Sequence, residues 1–111
     1  MPKVQFYKTP AGNDVVLDFI RQQPANDRRV IGEDLKVLEL RYPVGMPLCK
    51  SLGNGLWELR SSLPSKREAR LLYFYRSKTQ AIMVVHGFIK TTRTTPKGDL
   101  KLATSRKKEV D

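Results

Sequence analysis

Three strand-like segments lie close together in the second half of the chain, and they restrict it to folds built around a small sheet. The segments are residues 56–62, 68–76 and 80–88. Polar connectors of five and three residues separate them. Such short links join antiparallel neighbours, because parallel strands need crossover connections of about a dozen residues or more. The second and third segments are apolar on both faces, which is typical of central strands covered on both sides.

The flanking sequence predicts one more strand and three helices. Residues 4–8 alternate in polarity, which indicates a short strand. Between residues 13 and 42, apolar residues recur at helical spacing in two stretches separated by Pro24, which predicts a pair of helices. Residues 43–55 are rich in Pro and Gly and are predicted to form a loop. A basic helix is predicted to begin near Lys97.

This order of elements predicts the α+β class, with residues 1–111 forming a single domain. We expect a small twisted antiparallel sheet, an N-terminal helical hairpin on one face, and a short C-terminal helix. The helices are expected to lie mostly on one face of the sheet. Gly32, inside the second helix, indicates close packing between the two N-terminal helices.

The positive charge is concentrated in the C-terminal half. The net charge is +10; residues 56–111 hold 13 Lys and Arg against 5 Asp and Glu, whereas residues 1–55 hold 8 against 6. Clustered cations favour a polyanionic partner, most often a nucleic acid. The simpler alternative is a basic but otherwise ordinary surface.

Several classes of protein are disfavoured by what the chain contains. Cys49 is the only cysteine, so neither an intramolecular disulfide nor a thiolate metal cluster is expected. The N-terminus lacks the apolar region of a signal peptide, and no apolar run approaches the length of a membrane span. We therefore expect a soluble cytoplasmic protein with no membrane partner.

Charged side chains on the three segments are predicted to meet on one face. Strand side chains alternate between faces, and consecutive hairpin pairing would then bring together Glu58, Arg60, Arg70 and His86. By the same alternation, His86 should point with Ile82, Val84 and Phe88. Each of these residues also has a purely structural interpretation. Glu58 would form an ordinary cross-strand ion pair, Arg70 would be a charge at the edge of a strand, and His86 would be a histidine of the core.

Several strings of residues resemble the phage-derived Gp49-like group of toxins, often called HigB toxins, within the RelE/ParE superfamily. They are residues 52–60, 70–74, 86–90 and 95–97. The resemblance implies a RelE-like fold and the toxin of a type II toxin–antitoxin system. It also implies a ribosome-dependent endoribonuclease that cuts translated mRNA and needs no metal or organic cofactor. The implied partners are the ribosome and mRNA, together with a helix-turn-helix antitoxin through which the complex contacts operator DNA.

The resemblance also implies roles for particular residues. Metal-free RNA cleavage uses the ribose 2′-OH as nucleophile, and it needs a base, an acid and cations around the phosphate. Arg70 matches the arginine that opens the superfamily's R-L-x-Y strand, so it is predicted to bind the scissile phosphate, with Arg60 beside it. His86 is the proton-transfer candidate by residue type. Lys90 is predicted to stabilise charge or donate a proton, and Glu58 to orient Arg60 or act as an alternative base.

Further cations are predicted to contact RNA phosphates. They are Lys66, Arg67, Arg93, Lys97 and Lys101. The chain departs from well-known RelE-like enzymes at Trp57 and Glu58, where those enzymes carry lysines, and no tyrosine follows Tyr75. Two alternative functions stay open: a gyrase inhibitor like the ParE branch, and a non-catalytic nucleic-acid-binding module. The antitoxin surface is expected either on the helical pair at 13–42 or over the cationic face.

Overall fold

A five-stranded mixed sheet forms the centre of the fold in the computed structural model, which describes residues 1–111. The strands are β1 (Lys3–Phe6), β2 (Cys49–Gly53), β3 (Leu56–Ser62), β4 (Glu68–Arg76) and β5 (Ala81–Lys90). Their order across the sheet is β1-β5-β4-β3-β2. Strands β2 to β5 form an antiparallel meander, whereas β1 runs parallel to β5.

The α+β class is confirmed, but the prediction of a wholly antiparallel sheet was wrong. Strand β1 pairs with the last strand of the meander, with Val4 opposite Ile82 and Phe6 opposite Val84. Parallel neighbours require a long connection. The helices and the strands between β1 and β5 provide it.

Strand β2 lies within the segment predicted as a loop. Asn54 and Gly55 join β2 to β3 with φ angles of 54° and 80°. Two consecutive positive φ values are the signature of a type I′ hairpin turn, for which Asn-Gly is the preferred sequence. The loop prediction for residues 43–55 was therefore wrong from Cys49 onward. This strand carries few apolar residues because it is an edge strand and much of it is exposed.

Three helices cover the two faces of the sheet. They are α1 (Val15–Arg21), α2 (Ala25–Arg41) and α3 (Lys97–Val110). Phe19 of α1 packs beside Leu71 of β4, and Ser61 of β3 donates a hydrogen bond to Asp34 of α2, so both helices lie on one face. Helix α3 lies on the other face, where the Nζ of Lys107 is 5.1 Å from the centre of the Phe74 ring. None of these helices is both long and apolar enough to cross a membrane.

The helix arrangement differs from the prediction in two respects. Helices α1 and α2 do not form a hairpin packed mainly on itself, because α1 lies over β5 and α2 lies over β3. The C-terminal helix has 14 residues rather than being short, and it covers the face opposite the N-terminal pair. The sheet is therefore enclosed from both sides.

Coverage on both faces explains the continuous apolar pattern of β4. Leu71 and Leu72 point to opposite faces of the strand, and neither has any exposed surface. On the α1–α2 face the core includes Leu59 and Ile31, and on the α3 face it includes Ala103. The prediction of central strands covered on both sides is confirmed.

Gly87 is where β5 and α1 come closest, and we expect Gly87→Ala to destabilise the protein. A Cβ at this position would lie 2.6 Å from a ring carbon of Phe19 and 2.8 Å from a methyl of Leu71. Overpacking of this kind typically costs about 1–3 kcal/mol of unfolding free energy. Urea denaturation of the variant and the parent protein would measure the loss.

Gly32 provides the matched control, because a Cβ there would meet nothing within 4 Å. The prediction that Gly32 marks close helix packing was therefore wrong. Gly32→Ala should stabilise α2 by up to about 1 kcal/mol. Equal stability of the two alanine variants would show that Phe19 of α1 does not pack closely against Gly87 of β5.

Candidate functional site

A β-bulge in β5 decides which side chains share the face covered by α3. Tyr73 pairs with Val84 and Leu72 pairs with His86, so Val85 is the extra residue between them. A bulge of this kind reverses the alternation of side chains beyond it. Ile82 and Val84 consequently lie on the α1–α2 face, and the prediction that they share a face with His86 was wrong. The bulge places His86 on the face that also carries Glu58, Arg60 and Arg70.

Four cations from neighbouring strands approach one another on the α3 face, and we call them the cationic cluster. Its members are Lys50, Arg60, Arg70 and Lys90. Arg60 on β3 lies directly opposite Arg70 on β4. Like charges placed opposite each other in a sheet are destabilising. Their juxtaposition therefore calls for a compensating anion.

Glu58 supplies part of that compensation. Its carboxylate is buried, with one oxygen 4.0 Å from Nε of Arg60 and the other 4.0 Å from Nε of Arg70. Thr95, in the connector before α3, donates a hydrogen bond of 3.0 Å to the same carboxylate. The cross-strand ion pair expected as an alternative is therefore present. It orients both guanidinium groups without forming a hydrogen bond to either Nε.

The two arginines retain buried donors without a partner. Nε of Arg60 and Nε of Arg70 have no hydrogen-bond acceptor in the protein. Nη1 of Arg70 donates to the Ala69 carbonyl at 3.1 Å and to Glu68 at 3.3 Å, and the side chain is only 4% exposed. Buried polar groups are nearly always hydrogen-bonded, and an exception calls for an explanation such as an ion. An anion bound at the cluster would satisfy these donors.

Lys90 lies at the same end of the sheet, and its neighbours alter its titration. Burial lowers the pKa of the Lys90 amine, and the positive charges of Arg70, Arg60 and Lys50 lower it further. The carboxylate of Glu58 acts in the opposite direction. An ammonium group in this setting releases its proton more readily than an exposed lysine does.

His86 lies beside the cationic cluster rather than within it. In the sheet register Leu72 lies between Glu58 and His86. The histidine is therefore two strands away from Glu58, a separation on the order of 10 Å. Its Nε2 is 2.6 Å from Oδ1 of Asp99 on α3, and its ring stacks on Phe88 with centroids 5.6 Å apart. The pair with Asp99 joins α3 to β5 and fixes the orientation of the imidazole ring.

Four of the five additional cations predicted to contact RNA are exposed. Lys66 lies in the turn between β3 and β4, and Arg93 lies in the connector between β5 and α3. Lys97 and Lys101 lie on the outer face of α3 and border a shallow groove of about 540 Å³. This groove also includes Lys108, so a stripe of lysines runs along the helix.

Arg67 has a different environment from the other four. Its guanidinium donates to Asp27 at 3.1 Å and to Gln23 at 2.8 Å, and both acceptors are buried beside the α1–α2 junction. Asp27 also accepts hydrogen bonds from the hydroxyl and the amide of Ser65. Arg67 thus ties the β3–β4 turn to α2, and its contacts lie away from the cationic cluster.

Arg67→Ala is expected to lower stability without weakening RNA binding. The hydrogen bonds from Ser65, followed by those from Arg67, hold the pKa of Asp27 below its ordinary value. A lowered carboxyl pKa contributes stability that is present at neutral pH and is lost as the pH falls through the folded-state value. The stability difference between the variant and the parent protein should therefore shrink at acid pH, which thermal melts across pH would show. Lys66→Ala, at the exposed neighbouring position, should leave stability unchanged; a loss of RNA affinity on Arg67→Ala without loss of stability would contradict this role.

A comparison with known families finds a match that covers most of the chain. A family model described as phage-derived protein Gp49-like (DUF891) matches residues 18–108. The chain belongs to the Gp49-like family. No curated protein matches the chain. The matched region of this Gp49-like protein contains the whole cationic cluster, His86 and most of α3.

Three residues that contribute to the site of this Gp49-like protein were not among the predicted site residues. Lys50 was missed because residues 43–55 were predicted to form a loop, although the Asn54–Gly55 dipeptide favours a hairpin turn that places Lys50 opposite Glu58. Thr95 and Asp99 reach Glu58 and His86 only because α3 folds back over the sheet. No local pattern in the sequence indicates those two contacts.

Proposed function

We propose that this Gp49-like protein is the toxin of a type II toxin–antitoxin system and acts as a ribosome-dependent endoribonuclease on translated mRNA. The observation that carries the proposal is the pair of unpartnered guanidinium donors on Arg60 and Arg70, held side by side among four cations. Membership of a family often linked to toxin–antitoxin toxins supports it. A RelE-like relationship of the fold is part of the same proposal.

The cationic cluster is proposed to bind the scissile phosphate. A guanidinium suits this role because it remains charged and presents several donors in a fixed plane. The guanidinium of Arg70 is already held in place by the bonds from its Nη1 to Ala69 and Glu68, so little reorganisation is needed when charge develops on the phosphate oxygens. Arg60, whose side chain is 29% exposed, provides the accessible side of the site.

The proposed reaction is attack of the ribose 2′-OH on the adjacent phosphorus, with departure of the 5′-oxygen. A proton leaves the 2′-OH, and a proton is delivered to the departing oxygen. Lys90 is the proposed donor, because its lowered pKa favours release of the proton. Glu58 and His86 are the candidate acceptors. Glu58 lies between the two guanidinium groups and is therefore closer to a phosphate bound there.

Cations outside the cluster are proposed to hold the flanking RNA. Lys66, Arg93, Lys97 and Lys101 are exposed and free to contact phosphates along an RNA strand. The ribosome would then arrange the mRNA over the cluster. No metal or organic cofactor takes part in the proposed reaction.

A cognate helix-turn-helix antitoxin is proposed to neutralise the protein and to connect the complex to operator DNA. The cationic cluster offers a site for an acidic antitoxin segment, because it carries four positive charges around Glu58. The surface formed by α1 and α2 is the alternative position for the antitoxin.

Primer extension on a defined mRNA, with purified protein and with or without translating ribosomes, tests the proposal. Cuts within codons that need ribosomes and persist in EDTA are the expected result. Absence of cuts from folded, antitoxin-free protein would refute the proposed ribonuclease. A supercoiling assay would then test gyrase inhibition, and salt-dependent RNA affinity without cleavage would indicate a binding module.

A further inference from the structure

A cleft opens beside the cationic cluster where β3 extends past the start of β2. Its volume is about 460 Å³. The lining residues are Val30, Asp34, Pro47, Leu48, Arg60, Ser62 and Glu68. Arg60 belongs both to this cleft and to the cationic cluster, so the two sites are continuous.

The end of the β2–β3 pairing creates the opening. The amide of Arg60 donates to the Leu48 carbonyl at 2.7 Å, and beyond this bond β2 does not continue. Backbone groups of alternate residues point to the same side of a strand. The amide and carbonyl of Ser62 therefore point toward the same side as those of Arg60, where no strand pairs with them.

Two carboxylates give the cleft its chemical character. One oxygen of Asp34 accepts a hydrogen bond from the Ser61 hydroxyl. One oxygen of Glu68 accepts hydrogen bonds from the Ser62 hydroxyl at 3.1 Å and from Nη1 of Arg70 at 3.3 Å. The second oxygen of each carboxylate has no hydrogen-bond donor in the protein. Val30, Pro47 and Leu48 provide apolar walls, and the polar residues Arg60 and Ser62 complete the lining. Apolar walls with a few fixed acceptors suit a flat ring that carries donors on its edge.

We propose that this cleft receives the nucleobase next to the phosphate bound by the cluster, and that its carboxylates select bases with an exocyclic amino group. The inference rests on the proposed function, because it assumes that the cluster binds an RNA phosphate. Glu68 connects the two sites, since it contacts Arg70 of the cluster and lines the cleft. Adenine, cytosine and guanine offer an amino donor to a carboxylate, whereas uracil does not.

Affinities of short single-stranded oligo(A), oligo(C) and oligo(U), measured by fluorescence anisotropy, provide the first test. The parent protein should bind oligo(A) or oligo(C) roughly tenfold more tightly than oligo(U), as expected for one well-placed base contact. Asp34→Asn replaces an acceptor with an amide that can also donate, so the ratio should fall toward one. Glu33→Gln is the matched control, because Glu33 is an exposed neighbour that pairs with Arg29 outside the cleft.

Ribosomal primer extension with the same variants separates this inference from the proposed function. A changed codon preference in Asp34→Asn, with unchanged preference in Glu33→Gln, supports the cleft. Cleavage with the same preference in both variants refutes the cleft while the ribonuclease stands. A shift in oligonucleotide preference without cleavage by any form refutes the ribonuclease while the cleft stands.

A filling substitution keeps the test decisive if Asp34→Asn fails to fold. The phenyl ring of Val30→Phe would occupy part of the cleft, so the affinity for base-containing oligonucleotides should fall roughly tenfold. The affinity of an abasic oligonucleotide, which presents only phosphates and sugars, should not change. Equal loss for both ligands, or no loss for either, would overturn the proposed base site.

Discussion

Arg70→Ala is expected to reduce mRNA cleavage by at least about 100-fold, the loss typical of removing one fixed donor to developing negative charge. Arg70 lies at the centre of the cationic cluster, and its Nε is buried without an acceptor in the protein. Binding of the antitoxin should persist, provided that the fold is intact. Primer extension with translating ribosomes would measure the cleavage, and co-purification would measure antitoxin binding.

Two further variants separate catalysis from folding. Arg70→Lys keeps the positive charge beside Glu58 but loses the planar set of donors, so cleavage should still fall while the thermal melt changes less than in Arg70→Ala. Arg76→Ala is the matched control, because Arg76 lies at the other end of β4 and also has a buried Nε without a partner. It should retain cleavage within about twofold of the parent. Full activity of a folded Arg70→Ala protein would refute the assignment.

Lys90→Arg is expected to reduce cleavage by about 100-fold while RNA affinity stays within about twofold, because general acid catalysis contributes on that scale. A guanidinium preserves the positive charge but does not release a proton in the accessible pH range. In the parent protein, cleavage should decline as the pH rises through the lowered pKa of Lys90, since the donor form is then lost. The variant should lack that decline.

His86→Gln tests whether His86, rather than Lys90, carries out the essential proton transfer. The imidazole lies under α3 and contacts Asp99, so its replacement should also weaken the attachment of that helix to β5. If His86→Gln abolishes cleavage and Lys90→Arg does not, the proton-transfer role belongs to His86. Lys78→Arg, in the exposed turn between β4 and β5, is the matched control and should change neither the rate nor the pH profile.

Local patterns were sufficient to predict the centre of the site. The alternation of β3 and β4 placed Glu58, Arg60 and Arg70 on one face, and the register of these strands agrees. Such predictions succeed because, in a strand without a bulge, side-chain direction depends only on position along it. The positive charge of residues 56–111 likewise followed from composition and needed no structure.

Other features of the site depend on contacts between distant parts of the chain. Arg67, which was predicted to contact RNA, also pairs with Asp27, 40 residues earlier. Asp99 reaches His86 only because α3 covers the sheet. A one-residue bulge at Val85 moved His86 to the face opposite Ile82 and Val84, and no short pattern indicated where that bulge falls.

The sequence by itself determined strands β3 to β5, the helical segments and the concentration of cations, because each reflects local backbone preference or composition. Only the tertiary structure decided that β1 pairs in parallel with β5, that α3 covers the cationic face, and that a cleft opens beside Arg60. These features arise when residues far apart in the chain compete for the same buried surface. The outcome of that competition depends on packing and hydrogen bonding across the whole domain.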